Sequence, residues 1–318
     1  MAAISKDVVD RVLGHVLPYI DIHQKSQISG NFKSPFILAL AGPQGSGKTT
    51  WANAIRQVLT DKHGLKTISV SLDDFYYDHD NLVRVRNSDP GNMLFRTRGH
   101  PGTHDELLGG KFFSSLTSGK GFLIPSFDKS QFNGEGDRAP ESEWTRVERD
   151  PPVDVLVFEG WCVGFRPLPD KRIEEKWKKA KATSDDGTGT VIQNGFELPV
   201  CTLQNHSTDH LKTMNENLHR YCSTFMGPGS FNFLVQLDAE DLMNVYSWRI
   251  QQEHALKKLK GMGMTDEQVI SFVEGYMPGY ELYLDDLRDL PFFPIGQTQK
   301  GQLRLILDKD RRITNLES

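Results

Sequence analysis

The chain has 318 residues, with 37 Lys plus Arg against 42 Asp plus Glu and a formal net charge of −5. It is long enough for one large α/β domain or two small ones, and it lacks the basic excess of a nucleic-acid binder. No apolar run approaches the ~18 residues of a membrane span, which argues against a membrane partner.

The N-terminus, "MAAISKDVVDRVL", carries early acids in place of the apolar core of a signal peptide. Val8, Val9, Val12, Leu13, Val16, Leu17 and Ile20 recur at helical spacing and predict an opening amphipathic helix, with Pro18 in its last turn. Continuous apolar runs follow at "PFILALAG" (35–42), "TISVSL" (67–72), "VDVLVFEG" (153–160) and "FNFLVQL" (231–237), and "LRLILD" (303–308) is a fifth. Such runs suit parallel strands buried on both faces. With helix-length segments between the early ones, they predict an α/β fold: a doubly wound, mostly parallel sheet of about five strands.

Residues 84–150 are rich in Arg, Gly, Asp and Pro and read as ordered loop with short elements. Residues 170–210 open with "KRIEEKWKKAK", pass through "ATSDDGTGT", and read as a surface insertion with a flexible stretch inside one domain spanning 1–318. Leu242, Val245, Tyr246, Ile250 and Leu256 predict a late helix, and Thr265 with Gln268 fits a capping box for the next one. The three cysteines, Cys162, Cys201 and Cys222, form no CxxC pair, which points to a reduced, cytoplasmic chain.

"GPQGSGKT" (42–49) matches GxxxxGK[ST] in full, after an apolar strand and before the helical pattern of Trp51, Ala54, Ile55, Val58 and Leu59. That is the context a phosphate-binding P-loop needs. The backbone of Gly42, Pro43, Gln44, Gly45, Ser46 and Gly47, continuing into Lys48, Thr49 and Thr50, can close around the phosphates of ATP. The helix N-terminus adds its positive end. Lys48 can reach the β- and γ-phosphates, and the Thr49 hydroxyl can bind Mg²⁺. No NKxD-type guanine motif or LSGGQ-type transporter signature accompanies the loop.

Two further strand ends carry acids. "VLVFEGW" delivers Glu159, whose oxygens suit a hard cation beside the P-loop at the carboxyl edge of the sheet, where open α/β sheets bind ligands. "TISVSLDDFYY" ends in Asp73 and Asp74, 25 residues beyond Lys48. An acid there can face the γ-phosphate, as a metal-facing group or as the base that accepts the proton of an attacking hydroxyl. Strand alternation sends the two side chains in opposite directions, so one of them is expected to face the chemistry.

"GPQGSGKT", "DDFY" and "FEG", in this order, resemble the phosphoribulokinase–uridine kinase–pantothenate kinase group of P-loop small-molecule kinases. The longer segments "RTRGHPGTHD" (96–105), "PSFDKSQFNGEGDR" (125–138), "FEGWCVGF" (158–165), "NVYSWRIQQEHAL" (244–256) and "GMTDEQVISFVEGYMPGYELYLDDL" (263–287) resemble the D-glycerate 3-kinase family, its fungal branch above all. The resemblance implies Asp73 as base, Glu159 as the metal-facing acid, and a helical lid in which Arg249 stabilises the transferring phosphoryl group. It implies D-glycerate as acceptor and 3-phosphoglycerate as product. Arg98 and His104 are the family-matched candidates for the acceptor's carboxylate, since a guanidinium fork suits that group. Asp128, Lys129, Asp137 and Arg138 in the neighbouring glycine-rich loop either contact the acceptor or pair among themselves. Phe75, Tyr76, Trp161 and Phe165 wall the pocket or pack the core. His206, Asp209 and His210 have metal-like spacing but no cysteine or glutamate beside them, and no metal is expected there. Two other readings stay open: a kinase of another small acceptor, such as a nucleoside or pantothenate, and a nucleotide-binding regulatory protein.

Overall fold

The computed structural model describes residues 4–27, 34–118, 120–185, 189–193, 195–261 and 263–318. In chain order its elements are α1 (Lys6–Ser26), β1 (Phe36–Ala41), α2 (Lys48–His63), β2 (Thr67–Ser71), α3 (His79–Ser88), α4 (Glu106–Thr117), β3 (Phe122–Ile124), β4 (Phe127–Asp128), β5 (Asp137–Arg138), β6 (Thr145–Val147) and β7 (Val155–Gly160). There follow α5 (Asp170–Asp185), β8 (Thr190–Gln193), β9 (Phe196–Pro199), α6 (Thr208–Tyr221), β10 (Phe233–Ala239), α7 (Asn244–Lys260), α8 (Asp266–Glu274), α9 (Met277–Asp289), β11 (Gly301–Leu307) and β12 (Ile313–Glu317).

The apolar runs become the central sheet. Among the described residues six strands line up as β12–β11–β10–β1–β7–β2. All neighbours are parallel except β12, which runs antiparallel to β11 at the edge. Every residue of β1, β7 and β10 is buried, which is why these segments read as unbroken apolar runs and not as alternations. The sixth strand escapes a pattern reading because only Ile313 and Leu316 are apolar in "ITNLE". Val9, Val12, Leu13, Val16 and Ile20 of α1 are at most 1% exposed, and α1 runs through Pro18 to Ser26. Each such aliphatic side chain contributes roughly 1.5–3 kcal/mol relative to leaving it in water.

Two segments are more regular than their composition predicts. Within 84–150, α4 is a full helix capped by Asp105, whose carboxylate accepts from the Leu108 N–H at 3.0 Å. The charged run at 170–185 is α5, which buries Ile173 and Ala180 and ties Arg172 to Asp286 (2.8 Å) and Lys176 to Asp285 (2.7 Å) of α9. The "ATSDDGTGT" stretch divides between the end of α5 and the start of the β8–β9 hairpin, and residues 186–188, with 194, lie outside the described residues. The Thr265–Gln268 capping box forms as expected, with reciprocal bonds of 2.8 and 3.3 Å. Among the described residues no helix is long and apolar enough to cross a membrane.

Register brings the acids to one edge. Glu159 in β7 pairs with Leu40 of β1 on one side and Ser71 of β2 on the other. The loop after β1, the tip of β2 and Glu159 therefore meet at the carboxyl ends of three neighbouring parallel strands.

Candidate active site

The loop between β1 and α2 is a phosphate cradle in shape as well as sequence. Gly45 and Gly47 take φ of +77° and +95°, a region that costs a residue with a Cβ. A Cβ on Gly45 would also sit 2.8 Å from the Trp248 Cβ, so the loop packs directly on the start of α7. The Gln44 N–H donates to the Tyr280 hydroxyl at 2.9 Å, and Lys48 Nζ donates back to the Pro43 carbonyl at 3.1 Å. Burial lowers the Lys48 pKa, and the nearby carboxylates of Glu159 and Asp73 oppose that. The Ser46 hydroxyl is buried without a partner in the loop itself.

Thr49 Oγ1 donates to Glu159 Oε1 at 2.8 Å. Glu159 is 5% exposed, and burial raises its pKa. Buried carboxylate oxygens are costly unless a cation or donors meet them. The hydroxyl, this carboxylate and the nearby Asp73 are an all-oxygen set, which fits a small hard cation such as Mg²⁺. Among the described residues no cluster of three or more His, Cys, Asp or Glu side chains gathers around a metal-sized point. A cation shared with a nucleotide needs only one or two protein carboxylates.

Asp73 and Asp74 sit in a 3-10 turn, Leu72–Phe75, and not on the strand itself, so their division of labour comes from hydrogen bonds and not from strand alternation. Asp74 turns inward: its Oδ2 accepts from the Ser71 N–H at 3.0 Å, and Ser71 Oγ accepts from the Asp73 N–H at 3.3 Å. Burial lifts the Asp74 pKa to about 6. Asp73 is 24% exposed at its side chain and pairs with Lys129 Nζ at 2.5 Å. Burial pushes its pKa up, but the charge and hydrogen bond of Lys129 outweigh this and hold it at about 2. Gly45, Lys48, Thr49, Asp73, Lys129 and Glu159, together with Asp74, Trp161 and Gln252, border one cavity of about 470 Å³.

The other loop candidates turn away from that cavity. Arg98 donates to the Gly134 carbonyl at 2.7 Å and to the Glu135 carbonyl, and its guanidinium lies 5.3 Å from the Phe127 ring. Asp128 accepts from the Ser130 N–H (2.9 Å) and hydroxyl (2.6 Å) and from the Gln131 amide (2.8 Å). Asp137 caps the His79 N–H at 2.8 Å. Arg138 holds the Tyr76 carbonyl at 2.8 Å and Asp105 at 3.1 Å. These four tie the 128–138 loop together and fasten it to Tyr76, His79 and Asp105.

His104 is fully buried and stacked 4.3 Å from Tyr76. The Tyr221 hydroxyl accepts from the Gly102 and His104 N–H groups and lies 3.0 Å from His104 Nδ1. Its own proton therefore goes to Nδ1, which assigns the imidazole proton to Nε2. Burial lowers the His104 pKa to about 3, so the ring is neutral. Phe75, Tyr76 and Phe165 are core residues at 0–2% exposure, while Trp161 reaches the cavity. Arg249 bonds Glu253 at 3.1 Å and lies 5.1 Å from the Phe272 ring, so the α7 side chain facing the cavity is Gln252. His210 pairs with Asp89 at 3.3 Å.

Arg311, in the β11–β12 turn, carried no local signal in the sequence. It adopts φ +64°, donates from Nε to the Gly45 carbonyl (2.7 Å), from Nη2 to the Trp248 carbonyl (2.9 Å) and from Nη1 to Gln251 (2.8 Å). One guanidinium thus joins the phosphate loop, α7 and the C-terminal hairpin. Hydrogen bonds to a charged donor are worth ~1.5 kcal/mol or more each, and a loss of that size is about tenfold in affinity. Arg311→Ala is accordingly expected to raise the KM for ATP roughly tenfold with a smaller change in kcat. Steady-state kinetics at varied ATP check this, and an unchanged KM would remove Arg311 from the account of the loop.

The chain is similar to an uncharacterized kinase of Schizosaccharomyces pombe, 37% identical over 279 residues that cover 87% of this chain and 89% of that one. It is 30% identical over 297 residues to the chloroplastic D-glycerate 3-kinase of Arabidopsis thaliana, covering 92% of this chain and 57% of that protein. Among solved structures, D-glycerate 3-kinase from Cryptococcus neoformans var. grubii matches with a TM-score of 0.82 and 34% identity, over 98% of this chain and 99% of that one. No protein-family model matches the chain.

Proposed function

We propose, because the chain belongs to the D-glycerate 3-kinase family of P-loop kinases, that its acceptor is D-glycerate and its product 3-phosphoglycerate. It is an ATP-dependent small-molecule kinase. The observation that carries the acceptor reading is an acid and a cation side by side in the cavity that the phosphate loop borders: Asp73, ion-paired to Lys129, with Lys48, Thr49 and Glu159.

In this reading ATP lies with its phosphates on residues 42–50 and the N-terminus of α2. Asp73 accepts the proton of the acceptor hydroxyl as its oxygen attacks the γ-phosphorus in line. Lys48 supplies charge to the loose transition state. Mg²⁺, held by Thr49 and Glu159 with Asp73 at hand, would neutralise charge on the β- and γ-phosphate oxygens. Lys129 receives the acceptor's carboxylate. Arg98, Asp128, Asp137 and Arg138 hold the acceptor loop in shape, and His104, bonded to Tyr221 and stacked on Tyr76, braces the segment that follows Asp73. Arg249 belongs to the lid and can serve the phosphoryl group only by leaving Glu253. We read residues 1–318 as one kinase domain working in the cytoplasm, where its three free cysteines stay reduced.

ADP release with Mg-ATP is the test, run with D-glycerate, L-glycerate, uridine, pantothenate and no acceptor. Turnover confined to D-glycerate is expected. A response to uridine or pantothenate instead would reassign the acceptor. Tight ATP binding without any acceptor response would make the protein a nucleotide-binding regulator.

A further inference from the structure

Asp73 is well placed as a base, yet one of its two carboxylate oxygens is occupied. Lys129 Nζ holds Oδ2 at 2.5 Å, with 57% of the Lys129 side chain exposed and 24% of that of Asp73. The two ends are anchored differently. Asp73 stands in the 3-10 turn closed by Ser71 and Asp74. Lys129 comes from the turn between β4 and β5, whose own bonds run from Asp128 to Ser130 and Gln131 and leave the lysine stem outside them. The lysine is the partner able to move.

We propose that the Lys129–Asp73 pair is a latch that an anionic acceptor opens. The inference rests on the kinase reading above and deepens it by saying how the site chooses its acceptor. While the ammonium sits on Asp73 Oδ2, an acceptor hydroxyl cannot approach that oxygen. An acceptor that carries a carboxylate can take over Lys129, exchanging one ion pair for another and leaving the cation satisfied. Asp73 Oδ2 is then free for the acceptor hydroxyl. Water and neutral alcohols offer nothing in exchange, so for them the latch stays closed and ATP is spared from hydrolysis. A lysine open to solvent suits this use, since a water-screened ammonium can swap partners readily.

The chemistry balances without a further reactant. The acceptor oxygen bonds to the γ-phosphorus as its proton passes to Asp73, the bond from the γ-phosphorus to the bridging oxygen of ADP breaks, and Asp73 later gives the proton to solvent. Nothing is oxidised or reduced.

Lys129→Met removes the charge and keeps the stem. Acceptor-free Mg-ATP hydrolysis is expected to rise at least about tenfold, part of the ~10²–10⁴-fold that a general base supplies, since only one of its two oxygens is unmasked. In the same variant kcat/KM for D-glycerate should fall roughly 10²-fold, mainly through KM, because the carboxylate has lost its cation. The preference for D-glycerate over glycerol, which carries a hydroxymethyl group in place of the carboxylate, should shrink at least about tenfold. Lys129→Arg, which keeps a cation, should retain that preference to within a few-fold. If acceptor-free hydrolysis in Lys129→Met is unchanged or lower, the latch is wrong, and Lys129 is either a plain transition-state cation or an idle surface charge. The hydrolysis arm needs no acceptor, so it judges the latch even if the wild-type protein proves to phosphorylate something other than D-glycerate. Circular dichroism of both variants checks that they fold.

Discussion

Asp73→Asn lowers acceptor-dependent turnover by at least ~10²-fold and leaves the affinity for ATP within a few-fold of wild type: this is the expected result if Asp73 is the base. The change is isosteric and keeps an oxygen for Lys129, but removes the negative charge together with the capacity to accept a proton. Asp74→Asn is the matched control. Its side chain closes the turn on the Ser71 N–H at 3.0 Å, and an asparagine oxygen can keep that bond. It should cost about 1 kcal/mol of stability or less and leave turnover within a few-fold. Single-turnover ADP formation at saturating ATP, with nucleotide affinity from calorimetry, separates the two. The reverse pattern, with the loss in Asp74→Asn alone, would mean the roles are exchanged. The pH profile gives an independent reading, because kcat/KM reports the free enzyme. A base with its pKa raised to about 6 by burial, as for Asp74, would be lost progressively as pH falls through 6. Asp73, held at about 2 by Lys129 against the opposing effect of burial, stays ionised across that range and contributes no such limb.

Lys48→Met should reduce kcat by about 10²–10³-fold, the cost of removing one preorganised charge from a dry transition state. Lys48 is the cation of the phosphate loop, and Glu159 and Asp73 stabilise its charged form while burial opposes it. Methionine fills the same channel, so the glycines at 45 and 47 keep their positive φ and the loop keeps its shape. ATP affinity should weaken less than kcat, since the backbone N–H groups and the helix terminus still hold the phosphates. Rapid-quench measurement of the chemical step, beside nucleotide titration, tests the split. A kcat within threefold of wild type would show that the P-loop lysine is not needed for transfer.

Much of this arrangement was readable in the chain because its signals are local. A strand buried on both faces is mostly apolar, with polar residues toward its carboxyl end as in β7 and β10, so β1, β7 and β10 announced themselves. The P-loop is contiguous because glycine conformations and the following helix terminus act within eight residues. The Thr265–Gln268 box closes within four residues and was equally legible. Composition misled where polar residues cover a helix: the charge of "KRIEEKWKKAK" hides the spacing of Ile173 and Ala180, on which α5 packs.

The sequence by itself therefore determined the parallel α/β sheet, the phosphate cradle, and the arrival of Asp73, Asp74 and Glu159 at one sheet edge. Only the tertiary structure decided how the two acids are held: Asp74 closes a 3-10 turn on Ser71 and Asp73 pairs with Lys129, while both border the cavity. It also decided the partners of the loop charges. Asp128 spends its charge on the next turn, while Arg98, Asp137, Arg138 and Lys129 all find partners 33 or more positions away: Gly134, His79, Tyr76 with Asp105, and Asp73. Arg311 reaches 266 positions to the Gly45 carbonyl. Such pairings depend on where the folded chain brings distant turns together, and spacing along the sequence carries no trace of them.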